Sequence, residues 1–301
     1  MTKPGALILL VLLLMPFGAL PIDKEERAAA LDTCLGCHVD TASVVDIFYS
    51  PHGSGSDPHS PMNQGQCASC HGNNDAHLSD PDILMPEITF TSNSALAAEK
   101  QNDACLHCHN DSARMHWVGD AHARHQVRCV DCHTVHARRD PILNHIGESK
   151  TCTSCHLDVR DQMAKVSTHP MSKAGMSCSS CHAAHGSLTQ SALKLPTLNQ
   201  ACYQCHADRR GPFLWEHAPV REQCIHCHLP HGSNHQGMLR TRAPFLCQQC
   251  HSTAEHPSTE LLPEGTNAAS SNSIFLLVRG CLSCHSAVHG SNHPSGVKLM
   301  R

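Results

Sequence analysis

All 20 cysteines of this 301-residue chain fall in one pattern, Cys-x-x-Cys-His, repeated ten times with none left over. The first cysteines are Cys34, Cys67, Cys105, Cys129, Cys152, Cys178, Cys202, Cys224, Cys247 and Cys281. The second are Cys37, Cys70, Cys108, Cys132, Cys155, Cys181, Cys205, Cys227, Cys250 and Cys284. The histidines that follow are His38, His71, His109, His133, His156, His182, His206, His228, His251 and His285. Two thiols at i and i+3 and an imidazole at i+4 share one side of a helical turn. That geometry lets the thiols add to the two vinyl groups of a haem while the histidine binds its iron from below. A disulfide framework gives no reason for a histidine after every second cysteine, and zinc ribbons pair two Cys-x-x-Cys units per metal without one. The pattern therefore predicts ten covalent c-type haems, with these histidines as proximal ligands.

Composition agrees that side chains alone do not fill the interior. Aromatic residues are 3% of the chain and charged residues 16%, which suits neither a large hydrocarbon core nor a disordered polyelectrolyte. With Lys+Arg at 22 and a formal charge of -4, no broad basic surface for nucleic acid is present. Residues 1–20 stand apart: Lys3 precedes the apolar run from Ala6 to Met15, then come Pro16, Gly18 and Ala19. This reads as an export signal, because a run of about ten residues is too short for a spanning helix of roughly 20. The pattern around Gly18 leaves the cleavage point open, with an uncleaved anchor as the alternative.

The first cysteines are separated by 33, 38, 24, 23, 26, 24, 22, 23 and 34 residues, a tight middle with looser ends. Roughly 28 residues per haem leave no room for a separate catalytic domain. The expected fold is a multihaem cytochrome c with little regular secondary structure, short α-helices and loops wrapped around an extended chain of haems. Its domain would span residues 21–301, divisible into halves of five haems at about 165/166. Helices are expected over residues 94–109 and 197–206, and strands hardly at all. His231-Gly-Ser-Asn-His235 recurs as His289-Gly-Ser-Asn-His293, and His185-Gly-Ser and His52-Gly-Ser echo it. The glycine is expected to let backbone approach a flat cofactor.

Beyond the ten proximal histidines, 18 remain, enough for bis-histidine ligation throughout. Methionine is the rival second ligand, but the eight methionines outside the leader recur at no fixed offset. His136, His185 and His231 each lie three residues after a proximal histidine, too tightly tethered to reach the far face of their own haem. They are expected to ligate neighbouring haems, joining successive cofactors. His107 and His226, inside their motifs, are read as bystanders. The remaining candidates are His52, His77, His122, His169, His217, His256, His289 and His293, with His59, His116, His125, His145 and His235 less favoured.

The chain resembles the decahaem cytochromes of outer-membrane porin–cytochrome conduits, the MtrA, MtoA and DmsE type. The likeness rests on the ten motifs and on longer phrases: residues 210–220 (RGPFLWEHAPV), residues 237–244 (GMLRTRAP) leading into Cys247, and residues 289–296 (HGSNHPSG). It implies second ligands at His52, His77, His122, His136, His169, His185, His217, His231, His256, His289 and His293. That is eleven histidines for ten irons, with His293 or His77 as the surplus.

If both axial positions are filled, no iron is open to substrate, so the haems exchange electrons without inner-sphere catalysis. A multihaem reductase would be expected to replace one motif histidine, typically by lysine, and none is replaced. The expected function is electron transfer, not enzymatic catalysis. A haem is about 10 Å across, so ten in a row reach on the order of 100 Å against a bilayer of ~40–45 Å. The resemblance implies a chain seated in an outer-membrane β-barrel porin and reached from the periplasm. It further implies a periplasmic or inner-membrane cytochrome as one redox partner, and an extracellular multihaem cytochrome or terminal oxidoreductase as the other. A compact periplasmic shuttle is the alternative.

Overall fold

The computed structural model describes residues 24–91, 93–171, 175–251, 281–294 and 296–300. The leader expected over residues 1–20 and His256 lie outside the described residues. Among the described residues the fold is short helices joined by turns, with isolated β-bridges and no strands, and no helix is long and apolar enough to cross a membrane.

The odd-numbered motifs are carried on α-helices: α1 (Lys24–His38), α2 (Ala98–Leu106), α3 (His145–Cys155), α4 (Leu198–Tyr203) and α5 (Phe245–Gln248). Two have N-caps that the sequence supplies directly. Asn144 accepts from the N–H groups of Ile146 and Gly147 ahead of α3, and Thr197 and Gln200 form a capping box on α4. The helix expected over residues 94–109 begins later, at Ala98, where Ala97 offers no side-chain cap. Even-numbered motifs sit in a single turn of helix, at Ala68–His71, Cys129–Cys132, Cys178–Ser180, Cys224–His226 and Cys281–Ser283.

What these helices bury is polar. Only Ile47, Trp117 and Leu299 are buried apolar residues among those described, whereas Gln101, Asn102 and Asn199 are buried. Each asparagine stands three residues before the first cysteine of its motif and clamps the next one. Asn102 accepts from the Cys129 N–H at 2.8 Å and donates to the Val127 carbonyl, while Asn199 accepts from the Cys224 N–H at 2.9 Å and donates to the Val220 and Arg221 carbonyls. On α3, Glu148 does the same work by accepting from the N–H and hydroxyl of Ser179. Few of the described side chains are buried against one another, so the described elements are not held by a hydrocarbon core of their own.

Behind each even-numbered motif the chain returns to it. Lys194 donates to the Cys181 carbonyl and Arg240 to the Cys227 carbonyl, closing matched loops in which His182 bridges Leu193 and His228 bridges Leu239. Both loops turn through left-handed backbone, at Ser191 (φ 58°) and Gly237 (φ 69°). The His-Gly-Ser glycines lie against other parts of the chain. A Cβ on Gly186 would lie 2.6 Å from the His116 carbonyl oxygen, on Gly232 2.2 Å from that of Gln162, and on Gly53 2.1 Å from that of Ile47. On Gly290 it would strike the Phe213 ring at 2.2 Å. Close approach of chain to chain is what demands glycine there.

Candidate cofactor sites

Each proximal histidine from His38 to His251 faces one other imidazole from the candidate set. The pairs are His38 with His77, His71 with His136, His109 with His52, His133 with His185, and His156 with His122. The series continues with His182 and His231, His206 and His169, His228 and His289, and His251 and His217. Ring centres in these pairs are 5.8 Å to 6.3 Å apart. An imidazole nitrogen lies about 2 Å from a first-row metal, so two imidazoles on opposite sides of one iron have ring centres about 6 Å apart. The pairs therefore fit a six-coordinate iron. No three His, Cys, Asp or Glu side chains among the described residues converge as a metal cage, which suits a macrocycle that supplies the other four ligands itself.

The lacing follows a rule. His136, His185, His231 and His289, each just past an even-numbered motif, pair with the motif two places earlier, not with the adjacent one as the tether alone suggested. His52, His122, His169 and His217 pair with an odd-numbered motif further on. The two series lock together: His122 Nδ1–H donates to the Ala184 carbonyl, His169 to Pro230 and His217 to Val288, in each case the residue before a ligand of the other series. Antiparallel bridges from Ser233 to Ser167 and from Ser291 to Trp215 reinforce two of these joints. His77, suspected as surplus, stands 6.2 Å from His38. His256, the remaining candidate for the site of His285, lies outside the described residues.

Nδ1 is committed in many of these histidines. It donates to the carbonyl of Ile88 from His71, of Ser191 from His182, of Gly237 from His228 and of Lys298 from His285. Among the partners, His77 donates to Leu84 and His136 to Ser43. A carbonyl can only accept, so Nδ1 carries the proton and Nε2 presents its lone pair to a metal. Burial also pushes His52, His71, His109, His185, His231 and His289 below the ordinary histidine range, which favours the neutral form a metal requires.

The cysteines show the order of the sites. First cysteines meet within odd–even pairs: thiol contacts join Cys34 to Cys67, Cys105 to Cys129, Cys152 to Cys178, Cys202 to Cys224 and Cys247 to Cys281. Second cysteines meet between those pairs. Cys70 feels Cys108, Cys132 feels Cys155, Cys181 feels Cys205 and Cys227 feels Cys250. Each interior motif thus abuts its predecessor through one cysteine and its successor through the other, and the sites run in sequence order.

Three kinds of residue at these sites carry no motif: a tryptophan, an aspartate and a pair of asparagines. Trp117 is buried 6.5 Å from His122 and 6.4 Å from His185, between ligand candidates of consecutive motifs. Asp140 faces His133. Asn102 and Asn199 share an offset of three before a first cysteine, the one signal of the three that repeats in the sequence.

Three family descriptions match parts of the chain: a doubled CXXCH motif at residues 169–211 and 217–256, a cytochrome c-type protein NrfB-like at 67–150, and cytochrome c554 and c-prime at 19–72. The chain is also 48% identical over 271 residues to the multiheme cytochrome MtrA of Shewanella baltica (strain OS185), covering 90% of this chain and 81% of the relative.

Proposed function

Because the chain belongs to the MtrA family of multihaem c-type cytochromes, whose work is electron transfer, we propose that it carries electrons between the periplasm and the cell exterior inside an outer-membrane β-barrel. In this reading the thioether positions are the ten cysteine pairs, and the iron ligands are the nine imidazole pairs above with His285 and His256 as the tenth. His293 is then the surplus histidine. Covalently bound haem supplies one-electron iron chemistry. The protein's paired imidazoles would hold each iron and leave no position for a substrate oxygen or nitrogen, which supports reading the chain as a carrier, not an enzyme. The neighbouring cysteines would hold successive haems close together in the order of the sequence.

The single observation that carries the reading is the set of nine imidazole pairs at iron-spanning separation. The family supports the barrel, a periplasmic location behind an export signal at residues 1–20, a periplasmic or inner-membrane cytochrome on one side, and an extracellular cytochrome or terminal oxidoreductase on the other. The test places an electron acceptor inside liposomes and a membrane-impermeant donor outside, with the cytochrome, the barrel protein, or both. The pair alone should pass electrons above leakage, in either direction, because no ligand set rectifies. Equal transfer by the cytochrome alone would remove the barrel, and no transfer by the assembled pair would favour a periplasmic shuttle.

A further inference from the structure

The five even-numbered proximal histidines are built alike, and one differs in kind. His71, His182, His228 and His285 each give the Nδ1 proton to a backbone carbonyl of the returning chain. At His133 the same place is taken by Asp140, whose Oδ2 lies 2.6 Å from Nδ1. Its other oxygen, Oδ1, is held by the N–H groups of Thr134 and Ile142 at 3.2 Å and 3.3 Å, so the carboxylate is fixed in this orientation. The side chain is 15% exposed and forms an ion pair with no lysine or arginine among the described residues. We propose that Asp140 lowers the reduction potential of the haem bound through Cys129, Cys132 and His133 below those of the other even-numbered haems, making it the last of that set to be reduced.

The physical cause is electron donation through the ligand. A carboxylate draws the Nδ1 proton more strongly than a carbonyl does, so Nε2 becomes the stronger donor and the oxidised iron is favoured. The negative charge acts in the same direction. Reduction still adds one electron to one iron, and no proton enters or leaves the site. Two other charges nearby are paired: Arg114, beside His185, binds Asp111 at 2.5 Å, and Asp131 binds Arg128 at 2.5 Å. His122 also has a carboxylate near it, but Asp120 is 3.7 Å from a Nδ1 whose proton goes to Ala184. Within the even-numbered set, a low-potential fourth haem stands between the second on one side and the sixth, eighth and tenth on the other.

This inference rests on His133 and His185 as the two ligands of one iron. The test is an electron paramagnetic resonance-monitored potentiometric titration of the full-length holoprotein, unsubstituted and as Asp140→Asn and Asp140→Glu. The rings of His133 and His185 are 15° from parallel, whereas those of His71 and His136 stand at 81°, which separates their low-spin signals. Asp140→Asn should move one near-parallel signal to higher potential and leave the rest in place, and Asp140→Glu should keep it low. A titration that superimposes on the unsubstituted protein, or a downward shift, would overturn the proposal. Should Asp140→Asn fail to assemble, near-infrared magnetic circular dichroism of the unsubstituted protein decides. One charge-transfer band displaced to higher energy supports the carboxylate, and ten coincident bands refute it. Failure of the underlying ligand assignment would look different, as a high-spin signal in the unsubstituted protein that no change at Asp140 cures.

Discussion

The interior of the array and its amino-terminal end solve the same problem in opposite directions. Inside, the ligand candidates His122, His169 and His217 recur at 47 and 48 residues, a unit of two motifs, and each pairs with a motif that comes later in the chain. At the first motif the direction is reversed. His77 comes back from beyond the second motif to reach His38, with its Nδ1 held by the Leu84 carbonyl instead of by a neighbouring ligand loop. The comparison shows a repeat array with a capping unit: interior ligands are set by the joint between units, the terminal one by a local turn.

The largest effect should come from breaking an interior joint. Gly232→Ala places a Cβ 2.2 Å from the Gln162 carbonyl oxygen at φ 145°, a clash and a strained backbone that together cost on the order of 3 kcal/mol or more. The expected result is loss of the cooperative thermal transition. Gly237→Ser should cost only the left-handed strain, about 1–2 kcal/mol, and keep a cooperative transition in the same measurement, because that site is open and the equivalent turn already holds Ser191.

Removing a ligand should be local. His231→Ala should leave all haem attachments intact by mass and turn one haem high-spin, the one bound by His182. His77→Ala should do the same to the terminal haem bound by His38, with easier replacement by water at the exposed end. A fully low-spin spectrum in either variant would separate that histidine from the iron. His226→Ala should leave spin state unchanged. A modest loss of stability belongs to the clamp. Asn199→Ala leaves the Cys224 N–H without its partner, a loss of about 1–3 kcal/mol read as a lower denaturant midpoint.

The cofactor was legible in the sequence because its chemistry requires a fixed spacing of cysteine and histidine. The lacing was legible only in part. A histidine three residues past its motif cannot reach its own haem's far face, which points His136, His185 and His231 elsewhere. The partner two motifs back follows from the return loops and from bridges such as Ser233 to Ser167, which join residues far apart in sequence. The glycines after the ligand histidines were visible, but their cause was not, since a Cβ clash with Gln162 or Phe213 is a property of the folded chain. Asp140 and Trp117 each act once, so neither formed a pattern to read.

The central claim is that every iron of the array is closed on both faces by histidine. Intact mass spectrometry of the freshly purified holoprotein, combined with magnetic circular dichroism of the same sample, tests it directly. The account predicts ten haem additions and a spectrum that is entirely low-spin with bis-histidine charge-transfer bands; fewer additions, or a high-spin component in unsubstituted protein, would contradict it.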